Sequence, residues 1–169
     1  AYTESLDLAS LGDGFSLGGW VLPEAPGTVV ALEDAAPGAA QPAVALLAWD
    51  GTQLGYYDDH IFEVVPPGAS AAGRWHHVLV AVGPQGHAAL YVDGVPTRFT
   101  TATPASAATR LTVCKEHAGA AGFVGRVDEV QLFGRRLSPE EASAALLGGA
   151  GAPAPLTRWS FSSGAASAV

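Results

Sequence analysis

Two carboxylates stand next to each other in a strand-like run late in the chain, Asp128 and Glu129. Retaining glycoside hydrolysis needs two carboxyl groups about 5 Å apart on the same face of a site. Consecutive strand residues point to opposite faces, and Arg126 and Val130 occupy the positions where a partner carboxylate would lie. The spacing therefore predicts that the chain is not a glycosidase, and we expect no enzymatic activity.

A pair of histidines follows a tryptophan in the segment Trp75-His76-His77. Imidazole is a common metal ligand, but two adjacent residues of a strand cannot both reach one ion. No third ligand is identifiable in the sequence. We predict that Trp75 packs in the core and that at least one of the histidines is hydrogen-bonded beside it.

The densest acidic position is Asp58-Asp59, with Asp50 nearby in sequence. Calcium takes about six to eight oxygen ligands, of which two or three are typically carboxylates. No loop has the Asp-x-Asp-x-Asp-Gly spacing of a specific calcium site. Bound calcium and solvated surface charge are therefore both open readings of these aspartates.

Three aromatic residues, Trp49, Tyr56 and Tyr57, lie in the middle strands beside these carboxylates. Exposed aromatic rings next to carboxylates are typical of sites that stack sugar rings. At most one of the two tyrosines can point inward, so the other is a candidate ligand contact. Core packing explains Trp49 equally well.

The elements that must position these residues are short strands separated by turns. Alternating apolar residues and turn signals predict strands at 15–22, 28–32, 43–49, 53–57, 61–65, 75–82, 88–92, 95–99, 111–114 and 125–133. Asp93-Gly94 between two of these runs predicts a tight two-residue hairpin, because both residues tolerate positive φ. This rhythm indicates an all-β antiparallel sandwich or jelly roll.

One helix is predicted, and it is followed by a tail. Ser138, Pro139 and Glu141 form a capping-box pattern ahead of a helix that reaches 147 and ends at Gly148-Gly149. Residues 148–155 read as a linker of Gly, Ala and Pro, and residues 156–169 as a tail. We expect residues 1–147 to form the domain. Trp159 and Phe161 alternate, so both need burial on one face of a strand.

Three stretches of the sequence, in this order and spacing, resemble the laminin-G-like jelly roll of the concanavalin A-like lectin/glucanase superfamily. They are 15–21, then 73–78 with 90–94, then 123–133 with 136–141. The resemblance implies a sandwich of two antiparallel sheets with the helix at one edge. It also implies that Asp128 is a structural anchor, through backbone hydrogen bonds or a calcium ion, and that calcium at a loop rim is a common feature.

The motif strands of this resemblance predict the core. The expected core residues are Trp20, Trp75, Leu90, Val92, Val127, Val130 and Leu132. The family's usual first strand, with a Trp-x-Phe pattern, is missing at the front, and Trp159-Ser160-Phe161 resembles it. We therefore expect residues 156–161 to pair beside residues 5–8 or an equivalent edge, in this chain or a neighbour, or else to belong to a following repeat.

Composition narrows the function. The net charge is −8, and the basic residues are seven Arg and one Lys without a cluster, which argues against nucleic acid. No apolar run is long enough to enter a membrane as a span. Cys114 is the single cysteine, so we expect a buried thiol and no internal disulfide.

We expect a non-enzymatic adhesion, binding or scaffolding module of a larger extracellular or cell-surface protein. Its partners would be a glycan or protein ligand and the neighbouring domains of the same chain. The alternatives are a calcium-dependent lectin-like domain and an accessory domain of a secreted glycoside hydrolase. No cofactor other than calcium is expected.

Overall fold

The fold is described from a computed structural model, for residues 2–5, 11, 14–33, 43–49, 51, 54–57, 62–64, 72–99, 110–114, 123–148 and 151–161. The elements in chain order are β1 (Tyr2–Ser5), β2 (Phe15–Ala25), β3 (Gly27–Glu33), β4 (Ala43–Trp49), β5 (Leu54–Tyr57), β6 (Phe62–Val64), β7 (His76–Val82), β8 (Ala88–Val92), β9 (Val95–Phe99), β10 (Arg110–Val113), β11 (Val124–Phe133), α1 (Pro139–Leu147) and β12 (Thr157–Trp159).

The strands form two six-stranded sheets. Sheet A has the order β1-β10-β3-β4-β5-β6, and sheet B has the order β12-β11-β2-β7-β8-β9. Every strand pair in these two sheets is antiparallel. The predicted all-β jelly-roll sandwich with one short helix is confirmed.

Strand β7 shows how the sequence builds two cores. Val78, Val80 and Val82 are buried in the core shared by both sheets. Leu79 and Ala81, which alternate with them, are buried in a second, smaller core together with Ala142 and Ala145 of α1. Since both faces of the strand are covered, its residues 78–82 are all apolar instead of alternating with polar residues.

The helix begins as its sequence predicts. Ser138 accepts a hydrogen bond from the Glu141 amide, the Glu141 carboxylate accepts one from the Ser138 amide, and Gly148 ends the helix at φ 60°. Ser16 on β2 holds the preceding loop, since its hydroxyl accepts from the Leu137 amide. No helix in the described part of the chain has the length and apolarity that a bilayer crossing requires.

The hairpin between β8 and β9 is also confirmed. Val92 pairs with Val95 across the turn, and Asp93 and Gly94 have φ values of 50° and 79°. Both values fit the turn type that the Asp-Gly pair predicts. The Asp93 amide donates to the His77 carbonyl at 2.9 Å, which ties the turn to the start of β7.

Strand β11 contains a β-bulge that the sequence analysis did not anticipate. The register with β2 shifts between Asp128 and Gln131, and Glu129 has φ 52°. Two residues separate the buried Val127 and Val130, where a regular strand would place one or three between residues of the same face. Neither Asp128 nor Glu129 points into the core, so the expectation that they face opposite sides is wrong.

The tail forms the last strand of sheet B. β12 pairs with β11, with Trp159 opposite Val130, and Trp159 is buried in the main core with Phe161 packed against it. The tail thus pairs within its own chain. Its neighbour is not the Ser5 region, because β1 pairs with β10 in the other sheet, and residues 6–8 lie outside the described residues.

The core predictions divide into two groups. The aliphatic residues are confirmed as buried: Leu90, Val92, Val127, Val130 and Leu132. The two tryptophans, Trp20 and Trp75, lie elsewhere, as the next subsection describes. Cys114 is buried as expected, and burial raises the pKa of its thiol to about 11.

Substituting Gly94 by Val should destabilise the protein, because a β-branched side chain opposes φ 79°. The expected loss in the free energy of unfolding is about 1 to 2 kcal/mol, which lowers the melting temperature by about 2 to 8 °C. Gly94→Asn is the control, since Asn tolerates this region. Equal melting temperatures for the two variants would contradict the turn geometry.

Truncating Trp159 to Ala should cost about 3 to 5 kcal/mol of unfolding free energy, because its ring fills the main core. Arg158→Ala is the matched control on the same strand, since its exposed ion pair contributes about 0 to 1 kcal/mol. Chemical denaturation of both variants gives the comparison. A Trp159→Ala variant as stable as Arg158→Ala would show that β12 does not dock in solution.

Candidate functional site

Trp75 is on the surface, with 42% of the residue exposed. It directly precedes β7, whose core-facing positions include Val78 and Val80. Since side chains alternate between the two faces of a strand, Trp75 lies on the face opposite to Val78 and Val80, which is the outer face of the sheet. The prediction that Trp75 belongs to the core is therefore wrong.

Trp20 is half-buried on the same outer face of sheet B. It alternates with Phe15, Leu17 and Val21, of which all three are buried in the main core. Its cross-strand partner is His77, and the two rings meet edge to face with centroids 5.4 Å apart. Trp20 thus packs on the outside of the sheet, and its assignment to the core is also wrong.

These two indoles and a carboxylate line one cleft. Trp20, Trp75 and Asp128 surround an open space of about 340 Å³ on sheet B. Asp128 lies opposite Trp20 in the register of β11 and β2. Arg126, which lies two residues earlier on β11, does not line the cleft. The cleft combines two aromatic surfaces with one hydrogen-bond acceptor.

Asp128 is held by backbone amides. Its Oδ1 atom accepts hydrogen bonds from the amides of Glu129 and Phe161, each at 2.8 Å. The Ser160 hydroxyl lies 3.5 Å from the same oxygen. Two backbone hydrogen bonds are one of the two anchoring modes expected for Asp128, and calcium at this residue stays a prediction. All three contacts are made by Oδ1, and no described residue forms a hydrogen bond with the other carboxylate oxygen, Oδ2.

The two histidines are organised by the hairpin carboxylate. His76 Nδ1 lies 2.6 Å from Asp93 Oδ2, and the His77 amide donates to Asp93 Oδ1 at 2.9 Å. His76 Nε2 is buried and has no hydrogen-bond partner among the residues that the structure describes. Desolvation lowers the pKa of His77 to about 4, and the nearby Asp93 carboxylate offsets part of this effect. His77 is therefore neutral at pH 7, which suits its contact with the Trp20 ring.

The structure separates the residues that the sequence analysis grouped as a site. The strands that carry Trp49, Tyr56 and Tyr57, β4 and β5, belong to sheet A, whereas Asp128 belongs to sheet B. The side chains of the three aromatic residues lie outside the described residues, as do Asp50, Asp58 and Asp59. In the described part of the chain, no three His, Cys, Asp or Glu residues form a group that could hold a metal ion.

The sequence did contain a signal for the two missed aromatics. Trp20 is out of phase with Phe15 and Leu17, so alternation alone places it on the opposite face. Trp75 follows Gly73-Arg74, a polar turn at which a strand begins. What the sequence could not show is that Asp128 lies opposite Trp20, because that register depends on pairing between distant strands.

Comparison with models of known protein families assigns the chain to a family. The laminin G-type sequence model described as the concanavalin A-like lectin/glucanases superfamily matches residues 2–143. The protein therefore belongs to this family. No curated protein matches the chain by sequence.

Several solved structures share the fold. The native heptameric SAP-like pentraxin of Limulus polyphemus has a TM-score of 0.66 and 16% identity, over 83% of this chain and 73% of its own. A Bacteroides ovatus protein assigned to carbohydrate binding has a TM-score of 0.63 and 14% identity, over 88% of this chain and 45% of its own. Trypanosoma rangeli sialidase in complex with sialic acid has a TM-score of 0.58 and 19% identity, over 81% of this chain and 23% of its own. At these identities the likeness shows the fold alone.

The depressed pKa of His77 predicts a stability that falls in acid. Well above pH 6.5 the ring is neutral in both the folded and the unfolded state, so it makes no pH-dependent contribution to stability. Between pH 6.5 and about 4 the unfolded chain binds a proton that the folded chain refuses, so the unfolding free energy falls by up to about 1.4 kcal/mol per pH unit. His77→Gln should reduce that slope, and denaturation at pH 7, 6 and 5 measures it. An unchanged slope would mean that His77 ionises normally in the folded protein.

Proposed function

We propose that the protein is a carbohydrate-binding module and that the cleft of Trp20, Trp75 and Asp128 is its ligand site. The observation that carries the proposal is the exposed indole of Trp75 beside a carboxylate that backbone amides hold in place. A sugar ring has an apolar face that stacks on an aromatic ring and hydroxyls that donate to a carboxylate. The cleft offers both surfaces together.

The chemistry of the cleft favours a neutral glycan. An ionised carboxylate accepts hydrogen bonds and does not donate them, so Asp128 suits a ligand that presents hydroxyl or amide donors. A carboxylate or sulfate on the ligand would face the same charge at short range, and the chain as a whole carries −8. We therefore infer that sialylated or sulfated glycans bind less well than their neutral parents.

The proposed role is binding without catalysis, in an adhesion or carbohydrate-recognition module of a larger extracellular or cell-surface protein. Family membership and the fold shared with the Bacteroides ovatus protein support this context. The lining of the cleft supports the absence of hydrolysis, because retaining hydrolysis needs two carboxyl groups facing one site, and among the described residues Asp128 is the one carboxylate that lines the cleft. Glu129 forms an ion pair with Arg158 instead.

A direct test is a calorimetric titration of the intact chain with lactose, 3′-sialyllactose, cellobiose and chitobiose. Each titration is carried out with and without a chelator. We expect binding of at least one neutral disaccharide, weaker binding of sialyllactose than of lactose, no effect of the chelator and no glycoside turnover. Tighter binding of the sialylated sugar would contradict the charge argument. Loss of binding with the chelator would instead favour a calcium-dependent lectin.

Trp75→Ala should weaken binding of the neutral sugar by at least about tenfold, because a central tryptophan commonly dominates a binding interface. The fold should survive, since the ring is on the surface. Val124→Ala is the matched control, because Val124 has the same exposed fraction, 42%, on the same sheet and does not line the cleft. Equal affinities for the two variants would place the ligand elsewhere.

A further inference from the structure

The C-terminal strand and the cleft share one side chain, Asp128. Its Oδ1 atom accepts one hydrogen bond from the amide of Phe161, which follows β12, and another from the amide of Glu129 within the bulge. The same residue lines the cleft with Trp20 and Trp75. One carboxylate therefore connects the tail to the proposed ligand site.

Three kinds of contact hold the tail at this position. The Trp159 ring lies in the main core, and Phe161 packs against that core. The Leu156 amide donates to the Leu132 carbonyl at 2.7 Å, ahead of the ladder between β12 and β11. Arg158 forms an ion pair with Glu129 of the bulge. The strand is short, with three residues, and reaches this edge through a segment rich in Gly, Ala and Pro.

We propose that the C-terminal strand is a positioning element of the cleft, and that docking of this strand and binding of the glycan are thermodynamically coupled. The proposal rests on the proposed function. Two amide hydrogen bonds to Oδ1 restrict the orientation of the carboxylate, and among the described residues no hydrogen bond occupies Oδ2, which can accept one from the ligand. When the strand undocks, Oδ1 retains only the hydrogen bond from the Glu129 amide. The carboxylate can then adopt more orientations, and ordering it on binding costs conformational entropy.

The coupling acts in both directions. If docking of the strand raises the affinity for the glycan by some factor, the bound glycan must raise the docking equilibrium by the same factor. A glycan in the cleft would thus clamp the C-terminal strand onto sheet B.

Two substitutions at one position isolate the amide. Phe161→Ala and Phe161→Pro both remove the ring, but only proline removes the N–H that Asp128 accepts. The probe is whichever of lactose, cellobiose and chitobiose the intact chain binds most tightly. We expect Phe161→Pro to bind it about tenfold more weakly than Phe161→Ala. Equal affinities for the two variants would overturn the coupling while leaving the ligand site in place.

A second measurement uses no variant and therefore does not depend on how proline affects folding. Hydrogen exchange of residues 157–161 in the intact chain is followed with and without saturating disaccharide. We expect the sugar to slow exchange in this segment by about tenfold more than in β9 (Val95–Phe99), the strand at the opposite edge of the same sheet. Identical slowing at both edges would overturn the coupling. If the intact chain binds none of the three sugars, the proposed function itself fails.

Discussion

The bulge at Asp128 and Glu129 sets the phase of β11, and both the core and the cleft depend on that phase. Val127 and Val130 are buried on the same side because the bulge adds one residue between them. A regular strand would turn either Val127 or Val130 to solvent. The same extra residue leaves Asp128 outside the core, opposite Trp20, where it can serve a ligand.

The bulge has local costs and local supports. A non-glycine residue at positive φ costs on the order of 1 to 3 kcal/mol, and Glu129 is such a residue. Its amide is satisfied by Asp128, and its carboxylate is paired with Arg158 of β12. Gly19 lies opposite, where a Cβ atom would approach the Val130 Cα to 3.1 Å and the Asp128 carbonyl oxygen to 3.2 Å. Backbone, tail and neighbouring strand thus stabilise one irregular conformation together.

Much of the fold could be predicted from the sequence, because local patterns decide it. Asp93-Gly94 determines its own turn, and Ser138 with Glu141 determines the start of α1. The tail was harder, since the alternation of Trp159 and Phe161 predicts a strand but does not identify its partner. That partner, β11, is chosen by which edge of which sheet is open, and this is a property of the whole sandwich.

The cleft was less accessible to sequence reasoning. The motif strands of the family resemblance predict Trp20 and Trp75 in the core, although their phase and position place them outside it. The bulge that turns Asp128 towards them depends on packing between β11 and β2, which no local pattern reveals. Aromatic residues near carboxylates along the chain pointed instead to Trp49, Tyr56 and Tyr57 on sheet A.

The chain contains four tryptophans, so its indole N–H signals can show directly whether the proposed cleft binds sugar. A nuclear magnetic resonance titration with a neutral disaccharide follows Trp20 and Trp75 in the cleft, Trp159 in the core and Trp49 on the other sheet. We predict that the Trp75 signal shows the largest change in chemical shift, that the Trp20 signal also shifts, and that the signals of Trp159 and Trp49 do not shift. A shift of Trp49 with an unchanged Trp75 would contradict the account.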